Sequence, residues 1–487
     1  MKKLPKKLLL AICLSVAGTT GALAQQQGAG ADGVWSLEEA INYATTNNLQ
    51  VQQSRLNRDM ARTDLTQSQF SRLPSVNGSA SQNHNFGTYI DPTTYELRSE
   101  QTRTNNFQVN ASLPLFMGFQ QVNRVKQNEL ELQASEQDVL SAQNDITVSI
   151  MTAYLNILFA EELIKTSELQ RATTQQQLNR TRILFKAGTL AENAVLDLES
   201  QLATDDLNLI NAQNQRDVSR LNLVQLLNLE SPDNFQIEIP DIPEPDQSPA
   251  MVSAAQVYDV AVQTLPAIQS ADLRVLSAAK ALDVARGAYY PRLSVGGGIN
   301  TFYSSARNFR FPESGGLEAT TIGFTDSEGT NPFTIYTPRT TFRTEDYAFW
   351  DQLEDGIGKQ VSLSLQVPIF NGLQTRSNVQ RAKISQQNAK LTADIARNNL
   401  RQTIQQAYVD ALAAQRKYIA AKEQVTAAEK NFRNAELRLN SGVINTVDFN
   451  VIANTFRSAQ SNLIQAKYEY TFKLKLLDFY QGKDISL

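Results

Sequence analysis

The stretch ASLPLFMGFQ at residues 111–120 stands where an alternating apolar and polar pattern gives way to a long polar helical pattern. The stretch LSLQVPIFNGLQ at residues 363–374 repeats the same order of features. Proline donates no ladder hydrogen bond and glycine gives the backbone room to turn, so both stretches predict a junction between a strand and a helix. We expect the first strand to end at Leu113. The residues that mark the junctions are Pro114 and Gly118, and Pro368 and Gly372.

The two junctions belong to a tandem duplication. One constant offset relates three pairs of matching residues, which are Pro114 and Pro368, Tyr154 and Tyr408, and Gly188 and Gly442. A single offset across so long a segment is hard to obtain by chance. Upstream of the first junction the offset is shorter, so the second copy carries an insertion there.

The duplication predicts the domain organisation. The expected parts are a signal peptide at 1–24, a first repeat at 25–229, a linker rich in proline and acids at 230–252, and a second repeat at 253–487. Each repeat has the pattern of a helix, two strands, a very long helix, a glycine turn and a last helix. The expected bounds are 36–72, 74–116, 118–185 and 190–229, then 253–288, 292–370, 372–440 and 444–481. The long helices span roughly 100 Å each, more than an ordinary globular core requires.

The N-terminus is typical of an exported protein. A lysine-rich start is followed by an apolar run and small residues, so cleavage is expected after Ala24. The only cysteine, Cys13, lies in this signal, which excludes disulfides and thiolate chemistry from the mature chain. The net charge of −4 argues against nucleic-acid binding. No later apolar run is long enough to predict a transmembrane helix.

The strands alternate between apolar and small polar residues. Phe107, Val109 and Leu113 share one face of the first junction strand, and Val361 and Leu363 share one face of its counterpart. This pattern fits either strands of a transmembrane barrel or half-buried strands of a soluble sheet. Four membrane strands cannot close a barrel, and open edges are not tolerated in lipid. Three chains would supply twelve strands and a polar lumen, so the barrel interpretation favours a trimer.

The last helices show a seven-residue period. In the second repeat this series consists of Phe449, Phe456, Leu463, Tyr470 and Leu477. Such heptads predict coiled-coil packing between antiparallel helices joined at the glycine turns. The capping pair Ser36 and Glu39 predicts where the first helix begins. The predicted fold class is α+β, with four strands and long coiled-coil helices in each chain.

Together these features resemble the TolC family of outer-membrane efflux proteins. The resemblance rests on the signal peptide, the duplication, the two junctions and the tip motifs FKAGTLAENAVLDLESQL and LNSGVINTVDFNVIANT. It implies a trimeric channel-tunnel in a Gram-negative bacterium, with a 12-stranded barrel in the outer membrane and an α-helical barrel in the periplasm. The linker would form an equatorial belt. The implied partners are outer-membrane lipid, a periplasmic adaptor (membrane fusion) protein and an inner-membrane pump of the RND or ABC type.

The resemblance also implies a periplasmic gate lined by carboxylates. Asp448 follows the second glycine turn at the matching position, and Asp197 follows the first turn about one helical turn deeper. The alternative is that both are solvated carboxylates near a helix N-terminus, where the helix dipole favours them. Gly188 and Gly442 form the tip turns and are the expected adaptor contacts.

The insertion at 304–358 has the pattern of a long polar loop facing the outside of the cell. Its residues Tyr347, Phe349 and Trp350 either belong to an interfacial aromatic belt or pack the loop. The only histidine, His84, lies in a strand, so neither a metal nor another cofactor is expected. No catalytic constellation is visible, which predicts a protein that is not an enzyme.

Two alternatives to efflux stay open at this point. The same duct could serve type I protein secretion, because the pump selects the cargo. A secreted coiled-coil scaffold or adhesin without a pore would explain the helices, but not the alternating strands at both junctions.

Overall fold

The computed structural model describes residues 34–90, 95, 97–99, 101–229, 235–240, 244–245, 252–324, 328–330, 332–441, 443–444 and 446–483. The predicted signal peptide, Gly442 and much of the predicted linker lie outside these residues. The chain divides into two compact units. The helical unit consists of Met1–Gln53, Ser141–Ala261 and Arg401–Leu487, and the sheet unit of Ser54–Leu140 and Val262–Leu400.

The helices of the two repeats have matching lengths. They are α1 (Leu37–Asn47), α2 (Leu49–Phe70), α3 (Gln120–Lys186) and α4 (Glu192–Leu227) in the first repeat, and α5 (Ala254–Thr264), α6 (Pro266–Gly287), α8 (Gln374–Asn440) and α9 (Thr446–Tyr480) in the second. A short helix, α7 (Phe349–Asp355), lies in the insertion. Both long helices, α3 and α8, have 67 residues, and α1 and α5 have 11 each. Such pairing of lengths is what a tandem duplication produces.

The first helix of each repeat is broken, so the continuous helices predicted at 36–72 and 253–288 were wrong. Asn48 adopts an extended conformation with ψ of 135°, and its side-chain oxygen accepts a hydrogen bond from the amide of Gln50 at 2.8 Å. In the second repeat Pro266 opens α6 and keeps the preceding residue extended. The predicted capping box is confirmed, because the amide of Glu39 donates to Ser36 Oγ at 3.2 Å.

The strands are β1 (Val34–Trp35), β2 (Ser75–Asn85), β3 (Thr88–Ile90), β4 (Leu97–Ser99), β5 (Thr102–Met117), β6 (Gln236–Ile237), β7 (Arg292–Ser304), β8 (Asn308–Phe324), β9 (Pro332–Asp346) and β10 (Gly358–Gln366). The main sheet is antiparallel in the order β10-β7-β5-β2. The register places most of the apolar residues, among them Val109, Leu113, Val295 and Ile299, on one face. The opposite face carries small polar residues such as Asn110 and Ser294.

The first junction differs from its prediction at Pro114. The strand does not end at Leu113, since Pro114 pairs with Ser294 and β5 continues to Met117. A β-bulge between Pro114 and Phe116 shifts the register and accommodates the missing amide hydrogen. At the second junction β10 ends at Gln366, before Pro368.

The turns into the long helices repeat the same backbone geometry. Gly118 and Gly372 both have φ of +61°, and the residues after them, Phe119 and Leu373, have φ of +63° and +64°. Two successive left-handed residues redirect the chain from the strand into α3 or α8. Glycine adopts this conformation at little steric cost.

The insertion is not the loop predicted at 304–358. It contains the long hairpin β8–β9 followed by α7. Register shifts between Ser314 and Leu317 and between Thr321 and Gly323 interrupt the period of two in β8. These bulges explain why the alternation of a strand is hard to see in this part of the sequence.

The main core of the helical unit surrounds Tyr154 on α3. The Tyr154 hydroxyl donates to the carbonyl oxygen of Glu238 at 2.5 Å and lies 3.3 Å from that of Trp35. These contacts join α3 to the two-stranded parallel sheet β1–β6. Within the described residues, α3 also has a stretch long and apolar enough to cross a membrane by length and composition, but half of that stretch is buried in the protein.

The heptad positions of α9 pack against α8. Phe432 stacks between Phe449 and Phe456, with ring centroids 5.6 and 5.3 Å apart. Farther along, Tyr470 stacks on Tyr418 at 6.0 Å. The antiparallel packing predicted from the heptads is confirmed for this helix pair.

Candidate functional site

The two glycine turns at the ends of the long helices share one hydrogen-bond pattern. Gly188 has φ of +71°, and the amide of Thr189 donates to the carbonyl of Leu184 at 3.0 Å. In the second repeat the amide of Val443 donates to the carbonyl of Arg438 at 2.9 Å, which is the same bond at the corresponding positions. This bond is the signature of a helix ending in a Schellman motif. Gly442 itself lies outside the described residues.

A groove lined mainly by polar residues, with some apolar ones such as Leu198 and Val451, lies next to the first turn, between α3, α4 and α9. We call it the tip groove; its volume is about 680 Å³. It brings residues of both repeats together, which sequence reasoning did not predict. Six of its lining residues are Gln177, Thr181, Asp197, Gln201, Asn450 and Asn454.

The two predicted gate residues have different surroundings. Asp197 is exposed and lines the tip groove. Asp448 is exposed too and lies in the first turn of α9, but the groove lining includes Val451 and Asn450 from that helix rather than Asp448. The structure therefore does not bring the two carboxylates into one groove. Both side chains are exposed in a single chain.

One buried side-chain amide in the tip groove, that of Asn450, has a hydrogen-bond donor without an acceptor in the described residues. The side chain of Asn450 is buried, and its nitrogen makes no hydrogen bond within the part of the chain that the structure describes. A buried donor without an acceptor costs about 1–3 kcal/mol. An acceptor group from a ligand or a partner protein would satisfy it.

A buried carboxylate stabilises the wall of the same groove. Asp205 on α4 is 3% exposed; it accepts hydrogen bonds from Thr174 Oγ1 at 2.5 Å and from Gln201 Nε2 at 2.9 Å. The bond from Thr174 ties α4 to α3, while the bond from Gln201 lies within α4. The heptad pattern gave no signal for this network, because an acid at a buried position is visible only once its partners are known.

The two helix hairpins share ion pairs but differ in their aromatic packing. Ion pairs join α3 to α4, as from Arg182 to Glu199 at 2.7 Å, and α8 to α9, as from Lys473 to Asp410 at 2.9 Å. Aromatic stacking around Phe432 is an additional contact between α8 and α9. Near the tip, a hydrogen bond from Arg457 on α9 to the hydroxyl of Thr173 on α3 links the two hairpins.

The described residues of the predicted linker contact the helices. The ammonium of Lys422 on α8 donates to the carboxylate of Glu244 at 2.8 Å. This bond raises the pKa of Lys422 and lowers the pKa of Glu244 from their usual values. Both groups are exposed, so the pair orients the linker more than it stabilises the fold.

The main sheet is the second candidate site. Its apolar face is open to solvent in a single chain, with Val361 87% exposed and Leu363 68% exposed. Within the described part of the chain, the terminal strands β10 and β2 each pair on one side. His84, near the end of β2, is exposed and has Gln82 as its hydrogen-bonding neighbour at 2.8 Å. An exposed apolar face between two open edges requires a covering partner or lipid.

Comparison with known proteins assigns this architecture to a family. The family model described as outer membrane efflux protein matches residues 40–229 and 257–482. The chain belongs to the outer membrane efflux protein family. The predicted resemblance to TolC proteins is thereby confirmed. The relatives of this family member include the outer membrane protein TolC of Escherichia coli K12, 23% identical over 438 residues that cover 89% of this chain and 80% of that protein.

Two further TolC proteins match over shorter segments. TolC of Salmonella enteritidis is 25% identical over 38% of each chain, and TolC of Vibrio cholerae is 25% identical over 39% of this chain. These matches span 38% and 43% of the two relatives.

Solved structures of outer-membrane channels share the fold of this family member. The outer membrane protein VceC of Vibrio cholerae has a TM-score of 0.69 at 14% identity, covering 92% of this chain and 97% of its own. The CmeC outer membrane channel of Campylobacter jejuni has a TM-score of 0.68 at 17% identity, covering 93% and 87%. This fold is therefore shared by proteins whose sequences have diverged widely. The assigned roles of Asp448, Asp197 and the tip glycines stay predictions.

Proposed function

We propose that this protein is a passive exit duct through the outer membrane, opened at its periplasmic tip by an adaptor and an inner-membrane pump. The observation that carries the proposal is the four-stranded sheet with one apolar face, one polar face and two unpaired edges. Membership of the outer membrane efflux protein family favours this function over a coiled-coil scaffold without a pore.

Closure of the sheet supports a trimer. Backbone groups on an open edge are not tolerated in lipid, so β2 and β10 need partners. If β2 of one chain pairs with β10 of the next, three chains form a closed barrel of twelve strands. The face with Val109 and Leu363 then contacts lipid, and the face with Asn110 lines the lumen. Barrels with fewer strands fill their interior with side chains.

The tip carboxylates would give the closed end a cation preference. In a trimer, Asp448 would supply one ring of three carboxylates and Asp197 a second ring at another depth. Rings of acidic residues attract cations and repel anions. Their exposure in the single chain is compatible with this role, and with the alternative of ordinary solvated carboxylates.

The tip groove is the surface we assign to the adaptor. It adjoins the turn at Gly188, and the buried amide of Asn450 offers a donor to an incoming helix. A partner that inserts a helical hairpin between α4 and α9 would weaken the contacts that hold the tip together. The pump behind the adaptor, of the RND or ABC type, would decide between small-molecule efflux and type I protein secretion.

Cross-linking tests the closed barrel directly. The only cysteine lies in the predicted signal peptide, so engineered cysteines give a clean readout. A chain with Ser79→Cys in β2 and Ser364→Cys in β10 should form covalent trimers upon mild oxidation in the membrane. Each single variant is the control and should yield no trimer. If no trimers form when the β2 cysteine is placed in turn at position 77, 79 or 81, with the β10 cysteine kept at 364, the proposed closure is wrong.

Conductance tests the gate. Asp448→Asn in purified protein, inserted in a planar bilayer, should reduce cation preference and weaken block by polyvalent cations. Asp197→Asn should have a separate, additive effect if the two rings lie at different depths. Unchanged selectivity in the double variant would show that both carboxylates are ordinary surface groups.

A further inference from the structure

The short helix α7 is attached to the apolar face of the main sheet, at the end remote from the two junctions. Ile299, Thr301 and Tyr303 alternate along β7 and therefore share the apolar face. The ring of Phe349 packs on Tyr303 at 4.9 Å, and Thr301 Oγ1 donates to the carbonyl of Leu353 at 2.7 Å. The helix thus extends the apolar face beyond the last paired residues.

A buried glutamine fixes the position of α7. Gln352 is 1% exposed, and its side-chain nitrogen donates to the carbonyl oxygens of Tyr347 at 2.8 Å and Ser304 at 3.1 Å. The amide of Ser304 in turn donates to the Gln352 side-chain oxygen at 3.1 Å. This reciprocal pair joins the helix to the end of β7. A helix held in this way presents its remaining side chains in a defined direction.

The aromatic residues Tyr347, Phe349 and Trp350 have three different surroundings. Tyr347 is buried against Phe309, with ring centroids 4.0 Å apart, so it packs the base of the β8–β9 hairpin. Phe349 bridges the helix and the sheet. Trp350 is 76% exposed, and its ring stands edge-on to Phe349 at 5.3 Å. Of these three aromatic side chains, Trp350 is therefore the one that stays mostly exposed in a single chain.

The surroundings of Trp350 fit the boundary between acyl chains and lipid headgroups. The apolar face to which α7 is attached is exposed, as at Ile299 and Val361. The Arg103 guanidinium stacks at 5.3 Å on Tyr303, the ring on which Phe349, the neighbour of Trp350, also packs. Indole combines an apolar body with one N–H donor, which places tryptophan at such boundaries. A cation at this end of the apolar face matches the phosphate groups of lipid.

We propose that α7 is an interfacial anchor that places Trp350 among the headgroups and upper acyl chains of outer-leaflet lipid. It would fix the depth of the sheet in the membrane and hold the base of the long hairpin at the outer surface. The inference rests on the proposed function, because it requires the sheet to be part of a membrane barrel. Its partner is the phospholipid or glycolipid surface that surrounds the barrel.

Tryptophan fluorescence can test the anchor with little interference. The chain has two tryptophans, and the other one, Trp35, is 6% exposed in the helical unit. Trp35→Phe leaves Trp350 as the only emitter. We would reconstitute this variant in phosphatidylcholine vesicles brominated at the 6,7 or at the 11,12 positions of the acyl chain. Bromine quenches only fluorophores within contact distance, so the two lipids report depth.

The anchor predicts strong loss of Trp350 emission with the 6,7-brominated lipid, weaker loss with the 11,12-brominated lipid, and little quenching by aqueous iodide. The matched control is Trp350→Phe, which retains Trp35 and should lose no emission in either brominated lipid. Full access to iodide without bromolipid quenching would show a solvent-exposed loop. Protection from both would show that another copy of the chain covers Trp350. Either result overturns the anchor.

Conductance of the same vesicles separates the anchor from the duct. If the variant conducts but Trp350 shows no bromolipid quenching, the anchor is wrong and the duct stands. If the protein neither associates with the vesicles nor conducts, the proposed function fails and the anchor fails with it.

Discussion

Replacement of Gly118, at the turn between β5 and α3, can be compared with the same replacement at its counterpart in the second repeat, Gly372. Gly118 and its counterpart Gly372 have the same φ of +61°. Alanine in this left-handed region costs about 1–2 kcal/mol, because its Cβ approaches the neighbouring carbonyl. Both glycine-to-alanine replacements therefore share this loss of folding free energy.

The surroundings of the two glycines differ. A Cβ added to Gly118 would lie 2.2 Å from the carbonyl oxygen of Gly287 and 2.9 Å from the Cβ of Tyr290. Neither atom is at the end of a flexible side chain, so the end of α6 would have to move. Overpacking of this kind adds about 1–3 kcal/mol. A Cβ on Gly372 would meet no heavy atom of the described residues within 4 Å.

We therefore expect Gly118→Ala to lower the free energy of unfolding by about 2–5 kcal/mol, and Gly372→Ala by about 1–2 kcal/mol. The assay is urea unfolding in detergent, followed by the circular dichroism of the helices. Protein concentrations must be equal, because association of chains also contributes to apparent stability. Gly188→Ala is a further control with φ of +71° and open space around its Cβ.

Equal losses for Gly118→Ala and Gly372→Ala would refute this reasoning. That result would mean that α6 yields without cost, or that a neighbouring chain crowds Gly372 as closely as Gly287 crowds Gly118. Cross-linked trimers and detergent-separated single chains distinguish these two explanations, since only the second depends on assembly.

Three other replacements probe the helical unit. Arg457→Ala removes the hydrogen bond from α9 to α3, so the tip should open more readily, seen as longer open times in bilayer recordings, with Arg457→Lys intermediate. The hydrogen bond from Lys473 holds the pKa of Asp410 in the folded protein below its ordinary value of 3.8. The ionised Asp410 therefore stabilises the fold above pH 3.8, and this stabilisation is lost as the pH falls through the lower pKa of the folded state. Asp410→Asn should therefore flatten the acid side of the unfolding profile. Tyr154→Phe removes the buried hydroxyl bond at 2.5 Å and should lower the free energy of unfolding by about 1 kcal/mol in the same urea assay.

Most of the helical architecture could be predicted from the sequence because its determinants are local and repeated. Heptad spacing specifies which face of α9 packs, and the glycine turns specify where the hairpins reverse. Because the repeats are related by a constant offset, each of these features can be identified independently in both repeats. The strands of the main sheet were predictable for a similar reason, since alternation over several residues can be read without knowing the partner strand.

The failures have a common physical origin in contacts that are distant in sequence. Pro114 stays inside β5 because a bulge against β7 absorbs its missing amide hydrogen, and the bulge depends on the partner strand. The break at Asn48 depends partly on Leu226, whose carbonyl accepts from the Asn48 side chain at 2.8 Å. The hairpin β8–β9 was missed because its bulges interrupt the alternation. None of these contacts is visible from spacing along one segment.

In the candidate site, too, features determined by local sequence could be predicted and features formed by contacts distant in sequence could not. The tip turns and both aspartates follow from motifs next to the glycines. The tip groove does not, because it forms where α9 of the second repeat meets α3 and α4 of the first. Its lining includes the buried Asn450, and two other lining residues, Thr174 and Gln201, donate hydrogen bonds to the buried Asp205. Buried polar groups cost stability unless a partner satisfies them.

The contacts in which the two repeats differ say more about how the tip opens than the features that the repeats share. Equal helix lengths make two hairpins that can stand side by side in a ring, but an identical pair would open together. Here ion pairs join the helices of both hairpins, but aromatic stacking around Phe432 is added between α8 and α9. Water and salt weaken ion pairs far more than stacked rings. A partner that displaces the hydrogen bond from Arg457 to Thr173 would therefore separate the hairpins near the tip while α8 and α9 move as one body.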